Sequence, residues 1–373
     1  MKGAAGLHVL MTADAVGGVW SYALDLAEGL AAHGVRTTLA VLGPAPEPDQ
    51  RAAATAVPGL TLRVTDLPLE WLAGEPAAVE AAGAAVAAMA TEAGVDLVHL
   101  NSPALAASAC FGMPVVAICH SCVATWWRTM RTGAMPEDFA WRAALTARGL
   151  AAATERVAPT AAFAAATAEA YRLQRPPVAV YNGRRAASTG DVPEAPFVFT
   201  AGRLWDEGKN LKALDRAAAL LEVPVLAAGP THGPHGVSAN FRHLRPLGRL
   251  SGMEMRHWLA RGPVFASLAR YEPFGLAVLE AAQAGCALVL SDIPSFRELW
   301  DGAAEFVPPE DEQAAAHALG RMLGDRERRA AHRVAARERA RRYSVEAMAA
   351  GVLGVYGQAL HGAGSYRGRE AAA

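Results

Sequence analysis

Short apolar runs alternate with helix-length segments along this 373-residue chain, and the alternation begins twice. The first set of strand-like runs is Leu7–Ala13, Thr37–Leu42, Leu60–Val64, Val95–Leu100, Pro114–Cys119 and Val178–Tyr181. The second set falls at 197–201, 224–228, 263–268, 286–291 and 304–307. Runs this apolar are buried on both faces, and the helical segments between them supply the crossovers that parallel strands require. The fold class read from this pattern is α/β, with two parallel sheets covered by helices. Segment 184–196, RRAASTGDVPEAP, is polar, contains Pro and Gly, and has no periodicity, so it separates the two sets.

The expected organisation is a first domain at 1–185, a linker at 186–196 and a second domain at 197–343. A helix at 344–361 follows, with Val345, Met348, Val352, Tyr356 and Leu360 at helical spacing, and is expected to pack back toward the first domain. Residues 362–373 read as a disordered tail. Parallel sheets bind ligands beyond their strands' C-terminal ends, so two such domains facing each other would make one cleft.

Composition narrows the function classes. The formal net charge is −1 and 52% of residues are apolar, so no global basic excess suggests nucleic acid as a partner. No apolar run has the length of a membrane span. The start, MKGAAGLHVLMTADAVGG, turns polar too soon for a secretion signal, and the expected location is cytoplasmic with reduced cysteines. Cys119-His120-Ser121-Cys122 is a CxxC with a histidine inside it. No second Cys or His pair completes a zinc set, and the segment reads either as a redox or metal motif or as a plain loop.

Stretch 267–298, SLARYEPFGLAVLEAAQAGCALVLSDIPSFRE, is the most informative. Glu272 follows an apolar strand, a Pro-Phe-Gly turn comes next, and Glu280 lies eight positions on from Glu272, about two turns further, in an Ala-rich helix. The amides of Phe274, Gly275 and Leu276 at the helix start form an anion site with a carboxylate on either side. A capped helix start with no ligand is the alternative. Three other loops fall at strand C-termini. Gly17-Gly18 follows the first strand and admits a close backbone approach, but it is not GxGxxG. His120 follows PVVAIC and is either structural or part of the site. In AGRLWDEGKN, Arg203 and Lys209 either hold a diphosphate or make surface ion pairs with Asp206 or Glu207.

Gly17-Gly18, His120, GRL-x5-K at 202–209 and YEPFGLAVLEA at 271–281 occur here in the order seen in retaining glycosyltransferases of family 4, and the chain resembles that family over nearly its whole length. The resemblance implies a GT-B fold, two facing Rossmann-like domains with an interdomain cleft. It implies transfer of a sugar from a nucleotide diphosphate sugar, such as a UDP-, GDP- or ADP-sugar, to a hydroxyl acceptor with the anomeric configuration kept. Arg203 and Lys209 would bind the diphosphate, Glu272 the donor sugar hydroxyls and Glu280 the ribose. The amides at Phe274, Gly275 and Leu276 would contact sugar and phosphate. Gly17 and Gly18 would close on the phosphate side, His120 would touch the donor sugar, and the nucleobase would lie near Gly248-Arg249-Leu250. No protein nucleophile is implied, and no metal or cofactor is required, since the two cations neutralise the diphosphate.

The chain departs from the family pattern at Ser291-Asp292-Ile293-Pro294-Ser295, where a glycine pair is usual. Residues 77–93 are Ala-rich and neutral to acidic, unlike the basic amphipathic helix of membrane-associated relatives. Trp126, Trp127 and Trp141 interleave with arginines and could stack on an acceptor, make weak peripheral contact with a membrane, or only pack. Segment 326–342 is arginine-rich and reads as a solvated helix or an interaction surface. A non-catalytic nucleotide-sugar-binding protein and a nucleotide-sugar epimerase are the rival functions. A nicotinamide-dependent oxidoreductase is opposed by the missing GxGxxG. Oligomeric state and acceptor are not legible.

Overall fold

The computed structural model describes residues 6–186 and 195–370, so most of the expected linker and the last three residues of the expected tail lie outside the described residues. The chain forms two compact units, Met1–Gly183 with Val345–Ala373, and Arg184–Ser344.

In the first unit the strands are β1 (His8–Asp14), β2 (Arg36–Leu42), β3 (Leu60–Val64), β4 (Leu97–Leu100), β5 (Val115–Ile118), β6 (Glu155–Ala158) and β7 (Val178–Ala179). The helices between them are α1 (Gly18–Ala31), α2 (Pro48–Thr55), α3 (Pro76–Glu92), α4 (Val123–Met130), α5 (Glu137–Ala152) and α6 (Ala161–Tyr171). The strands are parallel, in the order β3-β2-β1-β4-β5-β6-β7.

The second unit contains β8 (Val198–Ala201), β9 (Val225–Ala228), β10 (Leu244–Gly248), β11 (Val264–Ser267), β12 (Ala287–Ser291) and β13 (Glu305–Val307). Its helices are α7 (Leu211–Ala218), α8 (Gly252–Ala260), α9 (Leu276–Gln283), α10 (Pro294–Trp300), α11 (Glu312–Gly324) and α12 (Arg326–Ala340). Its strands are also parallel, in the order β10-β9-β8-β11-β12-β13. The chain then returns to the first unit as α13 (Val345–Glu370).

Both sheets are thus doubly wound α/β of Rossmann type, as the alternation requires. Each sheet is apolar on both faces, with β5 and β12 wholly buried. Two elements escape the sequence reading. In β6, Glu155 and Arg156 interrupt what would have been an apolar run. In β10, Pro246 sits on an edge strand and the register shifts beside it, which is where a strand tolerates a missing N–H. The last helix extends to Glu370 rather than ending at 361, because its backbone ladder continues past the packed stripe.

That stripe explains how α13 joins the first unit. Met348, Val352 and Tyr356 are buried in one cluster with Leu26 and Leu30 of α1. Gly29 permits the approach, since a Cβ there would lie 2.8 Å from the Cβ of Ala349. Each large apolar side chain buried this way contributes about 1.5–3 kcal/mol.

A polar contact adds to it. Tyr356 Oη lies 2.7 Å from Nδ1 of His99, a fully buried residue of β4. Burial pushes the His99 pKa down to about 4. An unfolded histidine titrates near 6.5. Between these values the unfolded chain binds the extra proton, so stability falls as pH drops from about 6.5 toward 4. In urea unfolding between about pH 7 and pH 5, the wild type should lose stability more steeply than His99→Gln. Equal slopes would mean that His99 carries its proton in the folded state.

Candidate functional site

In each sheet the strand order reverses at one point, between β1 and β4 in the first unit and between β8 and β11 in the second. Connections leaving the two strands there run to opposite faces, which opens a crevice at their C-terminal ends. Most of the residues singled out from the sequence lie at these two points.

In the first unit, Gly17 and Gly18 form the turn from β1 into α1, with Gly17 capping the helix in extended backbone. Asp14 shapes the turn, its Oδ1 accepting from the amides of Val16 at 2.9 Å and Gly17 at 3.1 Å. His120 lies two residues beyond β5, half-buried, its ring edge-on to Tyr22 at 4.5 Å between centroids.

Asn101, just past β4, organises the histidines. Its Nδ2 donates to the carbonyl of Thr12 at 2.6 Å, which turns Oδ1 toward His99 and His120. An amide oxygen only accepts, so both rings donate from Nε2, at 3.2 Å from His99 and 2.7 Å from His120. His99 Nδ1 then accepts from the Tyr356 hydroxyl. Burial, with His99 nearby, pushes the His120 pKa down to about 3. His120 is therefore a neutral imidazole of one tautomer, with Nδ1 as its acceptor.

In the second unit, the 201–210 loop and the 268–275 loop are tied together. The Gly208 carbonyl accepts from the amides of Arg270 at 2.9 Å and Tyr271 at 3.2 Å. Asn210 is left-handed, φ 53°, and donates from Nδ2 to the carbonyls of Leu268 at 2.9 Å and Pro309 at 2.7 Å. This stitching sets the Lys209 ammonium on the Glu272 carboxylate, both mostly buried. Ser295 braces Glu272 from the other side, its Oγ donating to the Glu272 carbonyl at 2.5 Å. Arg203 forks onto Asp206, Nη2 to Oδ2 at 2.6 Å, and is more exposed than Lys209. The surface-pair alternative for Arg203 thus describes its present contact.

Gly275 caps α9 at φ 89°, a left-handed conformation. A Cβ there would lie 3.0 Å from Phe296 and 3.4 Å from Glu272 Cγ, so the position requires glycine. No side chain caps α9, and the helix begins at Leu276 beside Glu272. The Phe274 ring is buried against Tyr343 at 5.8 Å, so only its backbone is available to a ligand. Further along α9, Glu280 Oε1 accepts from Arg184 Nε at 2.9 Å and Nη2 at 2.6 Å. Leu250 follows β10, which β9 separates from β8, and packs half-buried against the unit's core.

Arg184, His99, Asn101, Tyr22 and Ser295 escape sequence reasoning. Asn101 carried a usable signal, being the first polar residue after an apolar strand. Arg184 carried none, because it sits in a segment that reads as linker. Its amide donates to the Tyr343 carbonyl at 3.2 Å and its carbonyl accepts from Gln283 at 2.9 Å, which anchors it to the second unit. Trp126 stacks on Phe139 at 6.2 Å and Arg131 lies 4.8 Å over the Trp126 ring, a self-packed aromatic cluster on α4 and α5. No helix of the described residues is long and apolar enough to cross a membrane.

Residues 16–186 match the family model described as Glycosyltransferase Family 4, and residues 195–325 match that of Glycosyl transferases group 1. A phosphatidyl-myo-inositol mannosyltransferase of Mycolicibacterium smegmatis is 30% identical over 205 residues, which is 50% of this chain and 53% of that protein. The chain thus matches about half the length of that relative. Among solved structures, a sucrose-phosphate synthase from Thermosynechococcus elongatus superposes with a TM-score of 0.76 at 18% identity, covering 98% of this chain and 100% of that one. The Anabaena protein HepE, solved with UDP and glucose, gives 0.73 at 17% identity, covering 94% and 99%. The chain belongs to glycosyltransferase family 4, with two Rossmann-like units of the GT-B fold.

Proposed function

We propose that the protein is a retaining glycosyltransferase that moves a sugar from a nucleotide diphosphate sugar to a hydroxyl acceptor. The observation that carries this reading is the Lys209–Glu272 pair, held beside the α9 N-terminus where the second sheet reverses its strand order. A cation, a row of amides and a carboxylate there match a sugar joined to a phosphate.

The second unit binds the donor in this reading. An ammonium has three N–H donors, so Lys209 can keep Glu272 in place while donating to a phosphate oxygen. Arg203 exchanges Asp206 for the diphosphate, or bridges both, through its remaining guanidinium donors. The amides at Phe274, Gly275 and Leu276 point at the same charge. As the glycosidic bond breaks, negative charge grows on the leaving diphosphate, and fixed cations and amides stabilise it without reorganising. The sugar becomes cation-like, as in glycoside hydrolysis. Glu272 holds the sugar hydroxyls and is not a nucleophile. The leaving phosphate takes the acceptor's proton on the face it departs from, which keeps the anomeric configuration. Glu280 binds the ribose, with Arg184 setting the rotamer of its carboxylate.

The first unit binds the acceptor. Gly17 and Gly18 offer backbone to a phosphate, and His120 offers a neutral ring that orients the reacting face of the sugar. Arg203 and Lys209 supply the charge that a metal supplies elsewhere, so the reaction runs without one. A UDP-sugar is the first donor to test, since the similar Anabaena structure holds UDP and glucose. The mannosyltransferase relative makes phosphatidylinositol one acceptor to test, alongside glycans and small molecules. The cytoplasm, where nucleotide sugars are made, is the proposed location.

Lys209→Ala and Glu272→Ala should each lower transfer about a hundredfold or more while circular dichroism stays native. Full activity in both would remove the site. Arg184→Ala should raise the donor KM about tenfold with a smaller change in kcat, because the carboxylate it holds acts in binding. An unchanged KM would separate Arg184 from the ribose. Chelation with EDTA should leave the rate unchanged. A thermal-shift panel of UDP, GDP and ADP should single out one base; no shift with any would remove the donor assignment.

A further inference from the structure

We infer that Cys119 and Cys122 form a reversible disulfide that switches the site by moving the histidine between them. The pair lies where β5 gives way to α4. Cys119 is fully buried at the strand end, and Cys122 is the N-cap of α4 and half-buried. Neither is in a disulfide, the two sulfurs are near enough to influence each other's protonation, and Cys119 Sγ lies 3.8 Å from the Ser121 carbonyl between them. Cys122 Sγ also lies 3.0 Å from the Thr125 hydroxyl. Against the pair, α6 brings two buried hydroxyls, Thr167 Oγ1 beside Cys119 and Tyr171 Oη beside Cys122. Hydroxyl donors and a helix N-terminus around a sulfur favour a thiolate.

Burial pushes the Cys122 thiol up, but hydrogen bonds from Cys119 and Thr125 outweigh it and bring the pKa to about 7. Cys119 is shifted the other way, its proton held by the bond to Cys122 and by burial. One member of the pair is thus an attacking thiolate and the other a resolving thiol.

The oxidant is a low-molecular-weight disulfide such as oxidised glutathione. The Cys122 thiolate attacks one of its sulfurs, forming a mixed disulfide and expelling one thiolate. Cys119 loses its proton to that thiolate, and its sulfur attacks Cys122 Sγ. The second small thiol leaves as thiolate and takes a proton from water. The protein loses two electrons and two protons, and one small disulfide becomes two thiols.

Closing the bond draws the sulfurs to about 2.05 Å, well inside hydrogen-bond distance. The four-residue ring contains His120 and Ser121, so its backbone must adjust. The 2.7 Å bond from His120 Nε2 to Asn101 is the contact most directly exposed to that change. Disulfides in reducing compartments are characteristically transient and redox-sensing.

The effect on transfer rests on the glycosyltransferase reading, whereas disulfide formation does not. The test equilibrates the full-length protein, carrying Cys110→Ser to remove the exposed thiol, in glutathione buffers from fully reduced to fully oxidised. Maleimide trapping and peptide mass spectrometry should find a peptide holding both cysteines lighter by two hydrogens in the oxidised buffers. Transfer should fall about a hundredfold with it, the scale expected for displacing a positioning group by an ångström, and dithiothreitol should restore it. Cys122→Ser and Cys119→Ala should keep their rate in every buffer. A pair that stays reduced throughout, or glutathione on Cys122 with no internal disulfide, would overturn the inference. So would an oxidised protein that transfers at the reduced rate. A reduced protein that transfers no sugar would count against the glycosyltransferase reading instead, while the mass measurement on the wild-type pair still decides the disulfide.

Discussion

The Gly208 carbonyl accepts hydrogen bonds from the amides of Arg270 and Tyr271, and the second unit's site depends on that junction. It joins the loop leaving β8 to the loop leaving β11, the two strands flanking the reversal of order. Lys209 is the next residue in one loop and Glu272 the next in the other. Without the junction, an ammonium and a carboxylate on separate surface loops would be a weak solvated pair. With it, they are mostly buried, oriented and beside the start of α9. Asn210 and Ser295 extend the same logic, each spending side-chain hydrogen bonds on backbone carbonyls of neighbouring loops.

The first unit solves a different problem, which is to present a histidine without a charge. Asn101 does this by geometry. Its amide is oriented by Thr12, so its oxygen dictates the tautomers of His99 and His120 together. Burial then makes protonation costly for both rings. The chain of contacts ends at Tyr356, on a helix that follows the second unit in sequence but packs with the first. The orientation of His120 is thereby linked to the docking of α13. The thiol pair flanking His120 gives the same ring a second control, through backbone rather than side chain.

Much of this was legible from residue order. The apolar runs located the buried strands to within a residue or two, because a strand covered on both faces admits few polar side chains. Glu272, Gly275 and Glu280 were legible because a strand end, a left-handed glycine and a helix face have local sequence signatures. What stayed hidden was any strand that breaks the pattern, such as β6 with Glu155 and Arg156, or β10 with Pro246. Pairings across long sequence separations stayed hidden too. Nothing in RRAASTG announces that Arg184 grips Glu280, 96 residues away. The CxxC at 119–122 was visible, but its meaning depended on α6, which brings its hydroxyls from elsewhere in the unit.

Sequence alone determined the class of the fold, the restart of the alternation and the chemical types gathered at the strand ends, since hydrophobic periodicity and turn chemistry act over a few residues. Tertiary structure alone decided which charges meet, which tautomers the histidines take and where α13 docks. Those are contacts between distant segments, and their energies depend on burial and on hydrogen-bond angles that exist only once the sheets have formed.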